Sequence, residues 1–243
     1  QLAACHIGER ALLDLIRRYG ASEISSYSSE LLDYSERRAR QEITALPDGA
    51  FSFVDHIDAD NIEEGPLDIA VEMEIRGDEI FVDLAGSSPQ VPAGINSPLP
   101  FTQAAIYGAI RLVMDPAIPN AAGYHRPIHI KAPTASVVNP THPAPVAARG
   151  ITGFRVMDAM LGALAQAVPD RVPADGEGGN SLIGIGGQRQ DGSLFAMVDF
   201  FAGARGGGPL HDGAEGVSHP ASNMANTPVE ILEVENPVIV DEY

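Results

Sequence analysis

Apolar side chains along the first 46 residues recur at steps of three and four. Leu2, Cys5, Leu12, Leu13, Ile16 and Tyr19 form one stripe, and Ile24, Leu31, Leu32 and Ile43 a second, broken one. That spacing predicts two helices. Gly20 suits the left-handed position after the first, and Ser22 with Glu23 can open the second. Arg37, Arg38 and Arg40 fall on its wet side, and Cys5 on a core-facing side. Asp48-Gly49 then turns the chain, and the period changes to two. Phe51 and Phe53 alternate with serine, and Ile69, Val71, Met73 and Ile75 alternate with Ala70, Glu72, Glu74 and Arg76. Gly77-Asp78 reads as a two-residue hairpin turn, with Ile80, Val82 and Leu84 on the return strand.

Beyond the hairpin, residues 86–100 are rich in Ser, Pro and Gly and read as loop. Residues 102–114 predict a helix with Ile106, Ala109, Ile110 and Val113 inward, stopped by Asp115-Pro116. A proline-rich stretch follows, broken by a short strand over 128–131. Residues 151–167 predict another helix, with Phe154, Met157, Leu161, Leu164 and Ala165 on one face. A glycine-rich crossing (170–187) leads to strands at 181–185 and 194–200 around Asp191-Gly192. Turn chemistry fills 203–226, and the end reads as a final strand region through the run Val238-Ile239-Val240. Hairpins and helices without a βαβ rhythm give an α+β class, with mixed and antiparallel sheets packed by several helices. The expected division is a helical hairpin over 1–48 and an α+β core over 49–243.

Composition narrows the function. With 44% hydrophobic residues the chain can build an ordinary core, and no run approaches the roughly 18 consecutive apolar residues of a membrane helix. The net charge of −18 opposes binding to nucleic acid or to an anionic membrane. Cys5 is the single cysteine, so no internal disulfide forms, and a reducing cytoplasm fits. The first residues lack the basic and apolar regions of a secretory signal. Gln1 at the front of a helical pattern and a strand-like run at the end lead us to expect an internal piece of a longer polypeptide.

Several motifs fail on their surroundings. His125 and His129 have the spacing of a helical metal pair, but Pro127 lies between them, and on a strand the rings stand about 13 Å apart. No Gly-Lys-Ser/Thr phosphate loop exists, and Lys131 is the only lysine. The glycines at 184, 186 and 187 are followed by a strand and not a helix, which argues against a dinucleotide loop. No G-x-S-x-G elbow is present, and Cys5 lies on a core-facing side as a structural cysteine would, so nucleophilic catalysis by serine or cysteine has no support. The acidic stretch between Asp55 and Asp68, with residues 61–66 at its centre, reads as a solvated loop, with cation capture as the alternative.

What remains is residues 203–213, followed by His219, Asn223 and Asn226. Its glycines, Gly206 and Gly207 among them, let backbone N–H groups approach a ligand closely, and Arg205 adds a bidentate donor for a carboxylate or phosphate. His211, Asp212 and His219 are the candidate catalytic groups. Arg205, Gly206, Gly207, Asn223 and Asn226 are candidate substrate-binding residues, with Arg149 and Glu177 as further ones because each is flanked by glycine. The alternative is a packed loop whose polar side chains satisfy their own backbone.

The chain resembles the B-type subunit of the hydantoinase/oxoprolinase family. The resemblance is carried by residues 1–5 running into Arg17-Arg18-Tyr19-Gly20, then by residues 82–90, Asn96-Ser97-Pro98, Arg126-Pro127-Ile128 and residues 139–146. Arg155-Val156-Met157-Asp158-Ala159, Gly203-Ala204-Arg205, Asp212-Gly213 and residues 226–233 complete it, while residues 175–180 depart from the pattern. The resemblance implies an α+β middle portion of such a subunit. The family's ligands for a divalent metal (zinc or manganese) are then expected outside this chain. It implies a hetero-oligomer in which an A-type ATPase subunit uses ATP and Mg to activate a cyclic amide such as hydantoin, 5-oxoproline or another lactam. The B-type subunit, completed by its remaining segments, directs hydrolysis. The alternatives are a subunit of an ATP-dependent carboxylase acting on acetone or acetophenone, and a non-catalytic scaffold that binds the ATPase through the helix face near Leu31 and Leu32.

Overall fold

The computed structural model describes residues 1–58, 65–179, 181–222 and 224–241. Residues 59–64 of the acidic stretch and the candidate Asn223 lie outside the described residues. Two helices, α1 (Leu2–Tyr19) and α2 (Ala21–Thr44), lead into a four-stranded sheet. Its strands are β1 (Gly49–Ile57), β2 (Leu67–Arg76), β3 (Glu79–Asp83) and β4 (Ile128–Lys131), in that spatial order. The first three run antiparallel, and Gly77 takes φ +62° in the predicted turn between β2 and β3. The last pair, β3 and β4, is parallel. Its connection carries α3 (Leu99–Leu112) and a 3-10 turn, Ala122–His125, so one crossover of the βαβ kind is present that the sequence pattern did not announce.

Alternation decides which face of the sheet is covered. Ile69, Val71, Met73 and Ile75 point to one side with Ile80 and Val82, and all are buried. They pack with Ala39 and Ile43 of α2, with Ile106, Ala109 and Ile110 of α3, and with Val156, Met160 and Leu164 of α4 (Arg149–Ala167). Three helices thus lie on one face, and the opposite face carries Ser52, Glu72, Glu74 and Lys131. The β2–β3 hairpin, β4, α3 and α4 follow the sequence reading, with helix starts two or three residues earlier.

The N-terminal helices depart from it in detail. Gly20 has φ +86° but ψ 146°, so it is a kink and not a left-handed cap, and α2 resumes at once with Ser22 and Glu23 inside it. Cys5 is exposed and α1 buries none of its residues, because no other described element covers its apolar stripe. Arg38 and Arg40 do not simply face water. Arg38 pairs with Asp115 at 2.7 Å, and Arg40 reaches Glu36, Asp78 and Glu79, tying α2 to the hairpin turn. Ser35 is fully buried in α2 and its hydroxyl donates to the carbonyl of Pro119 at 2.9 Å. Ser35→Ala removes this tie from α2 and leaves the Pro119 carbonyl only the Ala121 N–H at 2.8 Å, and denaturant unfolding is expected to show a loss of about 1 kcal/mol.

The C-terminal part holds the hairpin β5 (Ser181–Gln188) and β6 (Leu194–Phe201), the short ladder β7 (Ala204–Arg205) with β8 (Ala214–Glu215), and α5 (Val229–Glu235). The expected final strand region is therefore a short helix, with no strand at 238–241. Pro228 sets the entry with φ −53°, Glu230 sits in the first turn, and Leu232 is the one buried residue of the helix.

Candidate functional site

The polar centre is built from α4, β1 and the glycine-rich crossing. Arg155 and Asp158 stand three residues apart on α4 and so share a side of the helix. Asp55 follows Phe51 and Phe53 at a spacing of two on β1 and therefore turns to the covered face, opposite Ile69. Arg155 Nη1 lies 3.0 Å from Asp55 Oδ2 and 3.8 Å from Asp175 Oδ2, and Nη2 lies 2.5 Å from Asp158 Oδ2. The guanidinium is 16% exposed and Asp158 9%. These are charge contacts without good hydrogen-bond directions, since Asp55 Oδ2, Asp158 Oδ2 and Arg155 Nη2 have no well-directed partner. Gly178 closes the cage: a Cβ there would sit 0.9 Å from Arg155 Nη2, so a larger residue would push the guanidinium out of its present place.

His219 completes the network from the far side. Its Nε2 is 2.8 Å from Asp158 Oδ1, and its Nδ1 accepts from the backbone N–H of Ala221 at 3.0 Å. The backbone donor assigns the proton to Nε2, so His219 donates to Asp158 and both ring nitrogens are engaged. The ring is 3% exposed and packs on Phe154 at 4.8 Å between centroids.

Between these groups opens a cleft of about 300 Å³. Phe53, Leu161, Ala165 and Val172 form its apolar wall, and Asp175, Glu177, Arg205 and Ser218 bring polar groups to it. Of the residues singled out from the sequence, Arg205, Gly206, His219 and Glu177 line this cleft. Gly207 borders it through its carbonyl, which accepts from Ala174 N–H at 2.7 Å. His211 and Asp212 are exposed on the outer turn, where His211 Nδ1 contacts the Asp212 carbonyl, and neither lines the cleft. Asn226 is held by the backbone N–H of Ala202 at 2.6 Å. Arg149 lies over Phe101 at 5.6 Å, also outside the lining. The glycine at 206 serves packing: a Cβ would meet the Ala174 carbonyl at 1.9 Å.

Sequence reasoning missed Arg155, Asp158, Asp55 and Asp175 as site residues. A signal existed for the first three. Two opposite charges three apart beside the apolar positions Phe154, Met157 and Leu161, and a carboxylate in phase with Phe51 and Phe53, are both out of place on covered faces. Asp175 had none. Burial, and then the charge of Asp158, push its carboxyl above the ordinary aspartate range, against the pull of Arg155. A raised carboxyl favours the fold below the unfolded value and loses that contribution as pH rises through the folded value. Asp175→Asn is therefore expected to melt higher than the parent at neutral pH, with the difference shrinking toward pH 3; a difference constant across that range would refute the assignment.

No three His, Cys, Asp or Glu side chains among the described residues are arranged to hold a metal ion. Asp55, Asp158 and Asp175 close on Arg155 instead. No helix among the described residues is long and apolar enough to cross a membrane.

The comparisons with known proteins settle the family. The family described as Hydantoinase B/oxoprolinase matches residues 1–243. The chain belongs to that family. Its relatives include a putative D-/L-hydantoinase B-type chain of Pseudomonas sp. (strain NS671), 36% identical over all of this chain and 43% of that protein. The crystal structure of the ATP-dependent caprolactamase from Pseudomonas jessenii superposes with a TM-score of 0.88 at 27% identity, covering 100% of this chain and 43% of the other. An acetone carboxylase structure superposes at 0.84 with 18% identity, over 98% of this chain and 34% of that one, which is a likeness of fold alone. This hydantoinase B/oxoprolinase chain thus spans less than half the length of those relatives.

Proposed function

We propose that this chain is part of the B-type subunit of an ATP-dependent amidohydrolase of the hydantoinase/oxoprolinase class, acting in the cytoplasm on a cyclic amide activated by an A-type ATPase subunit. The observation that carries this reading is the match over its whole length to a B-type hydantoinase relative and to an ATP-dependent caprolactamase fold. The cleft supports it. Arg205 lines this apolar-walled space, and its side chain is the donor assigned here to a polarised carbonyl or its oxyanion. His219 holds Asp158, and through it Arg155, in place. His211 and Asp212 stand on the adjoining turn as candidates for proton transfer. ATP and Mg belong to the partner in this reading, in keeping with the missing phosphate loop. Because the residues here do not fit a metal ion, no step is routed through one.

The test pairs the polypeptide carrying this chain with its A-type partner and supplies hydantoin or ε-caprolactam with ATP and Mg. Ring-opened product and phosphate are expected together. Arg205→Ala is expected to lower kcat/KM by roughly 100-fold while the complex still assembles. Normal turnover in Arg205→Ala and His211→Ala, with assembly lost on altering Leu31 and Leu32, would favour the scaffold reading. Bicarbonate-dependent carboxylation of a ketone would replace hydrolysis by the carboxylase reading.

A further inference from the structure

The cleft carries more acidic than basic residues in its lining. Asp55, Asp158, Asp175 and Glu177 are four acidic residues of its lining, against Arg205 as the one arginine there, with Arg155 beside the lining and paired to Asp55. Arg155 is enclosed by Asp55, Asp158 and Asp175, and Glu177 accepts from Ser181 Oγ at 2.8 Å. Asp175, whose side chain is 60% exposed, Glu177 and Arg205 are then the charged residues left to meet an occupant, beside the wall of Phe53, Leu161, Ala165 and Val172. At about 300 Å³ the space lies at the small end of ligand pockets, which run from roughly 300 to 1,000 Å³, and suits one small ring better than a nucleotide.

An uncharged cyclic amide has one N–H donor, one carbonyl acceptor and an apolar or weakly polar ring. We propose that this cleft is the specificity site for such a ring, with Asp175 accepting from the amide N–H and Arg205 donating to the carbonyl. It selects against 5-oxoproline, whose carboxylate would enter a region where negative charge already exceeds positive. The proposal rests on the hydantoinase-type reading and narrows its substrate class. A site built for an anion has the opposite balance, with unpaired cations facing the ligand.

The two-subunit enzyme is assayed at fixed ionic strength and neutral pH with hydantoin, ε-caprolactam and 5-oxoproline. A preference for the neutral rings of at least about tenfold in kcat/KM is expected, equivalent to about 1.4 kcal/mol. Asp175→Asn is expected to shrink that preference about tenfold, mostly through KM, with 5-oxoproline gaining and the neutral rings losing. Ala165→Phe, which narrows the apolar wall without touching charge, is expected to raise KM for the seven-membered ε-caprolactam more than for hydantoin. A parent enzyme that prefers 5-oxoproline overturns the proposal and leaves the amidohydrolase reading standing. So do unchanged preferences in both variants while turnover persists. Failure to open any cyclic amide with ATP brings down both.

Discussion

Arg155→Met is expected to cost about 3 kcal/mol of stability, the larger part of it from carboxylates left without a counter-charge. Asp55 and Asp158 are 19% and 9% exposed, and each relies on the same guanidinium. Removing one partner of a buried ion pair costs about 3–5 kcal/mol, because the remaining charge stays desolvated. The lower end applies here, since Asp175 is mostly exposed and water screens its share. Gly178, shaped to lie against the guanidinium, would lose its contact as well. Thermal unfolding of the variant is the measurement, with Arg155→Lys expected to fall between because one ammonium cannot reach all three carboxylates. Asp55→Asn added to Arg155→Met is expected to recover part of the loss. A loss below about 1 kcal/mol with no such recovery would show that the cage is solvated and contributes little.

Asn96→Leu is expected to cost about 3–4 kcal/mol despite conserving volume. The side chain is fully buried, and its carboxamide accepts from Val91 N–H at 2.9 Å. It also donates to the carbonyls of Val91, Ala93 and Pro145 at 2.8, 3.0 and 2.9 Å. Leucine leaves the Val91 N–H and the Val91 and Ala93 carbonyls unpaired in a buried place, at about 1–3 kcal/mol for an orphaned buried group, while the Pro145 carbonyl lies nearer the surface. The effect is local to the segment between β3 and α3, where Val91, Ala93 and Ile95 form a small core of their own. Limited proteolysis is therefore expected to open first near residues 90–97 in the variant. Proteolysis unchanged there, with a melting temperature close to the parent's, would refute the argument.

Much of the fold was legible because its periodicities are clean. Alternation from Ile69 to Ile75 and the Gly-Asp turn specify a hairpin wherever it packs, and the helical stripes of α3 and α4 state which face is covered. Val229-Glu230-Ile231-Leu232 was ambiguous, since a seven-residue segment satisfies either period, and the proline before it decided for helix. The stripe of α1 was legible as helix but not as surface. A pattern states that a face is apolar, and only the neighbouring elements state whether anything covers it.

The site divided along the same line. Residue order alone was enough for the family resemblance, the α+β class and the loop carrying Arg205, Gly206 and His219, because local composition and motif order are properties of the chain. It could not pair Asp55 with Arg155 across 100 positions, or bring Asp175 to the same guanidinium and His219 to Asp158. Those partners meet only because β1 lies under α4 and the glycine-rich crossing folds back over both. Charge pairs act over a few ångströms of space, while sequence reports distance along the chain. That His219 anchors Asp158, and that negative charge dominates the cleft, therefore came from the packing of distant segments.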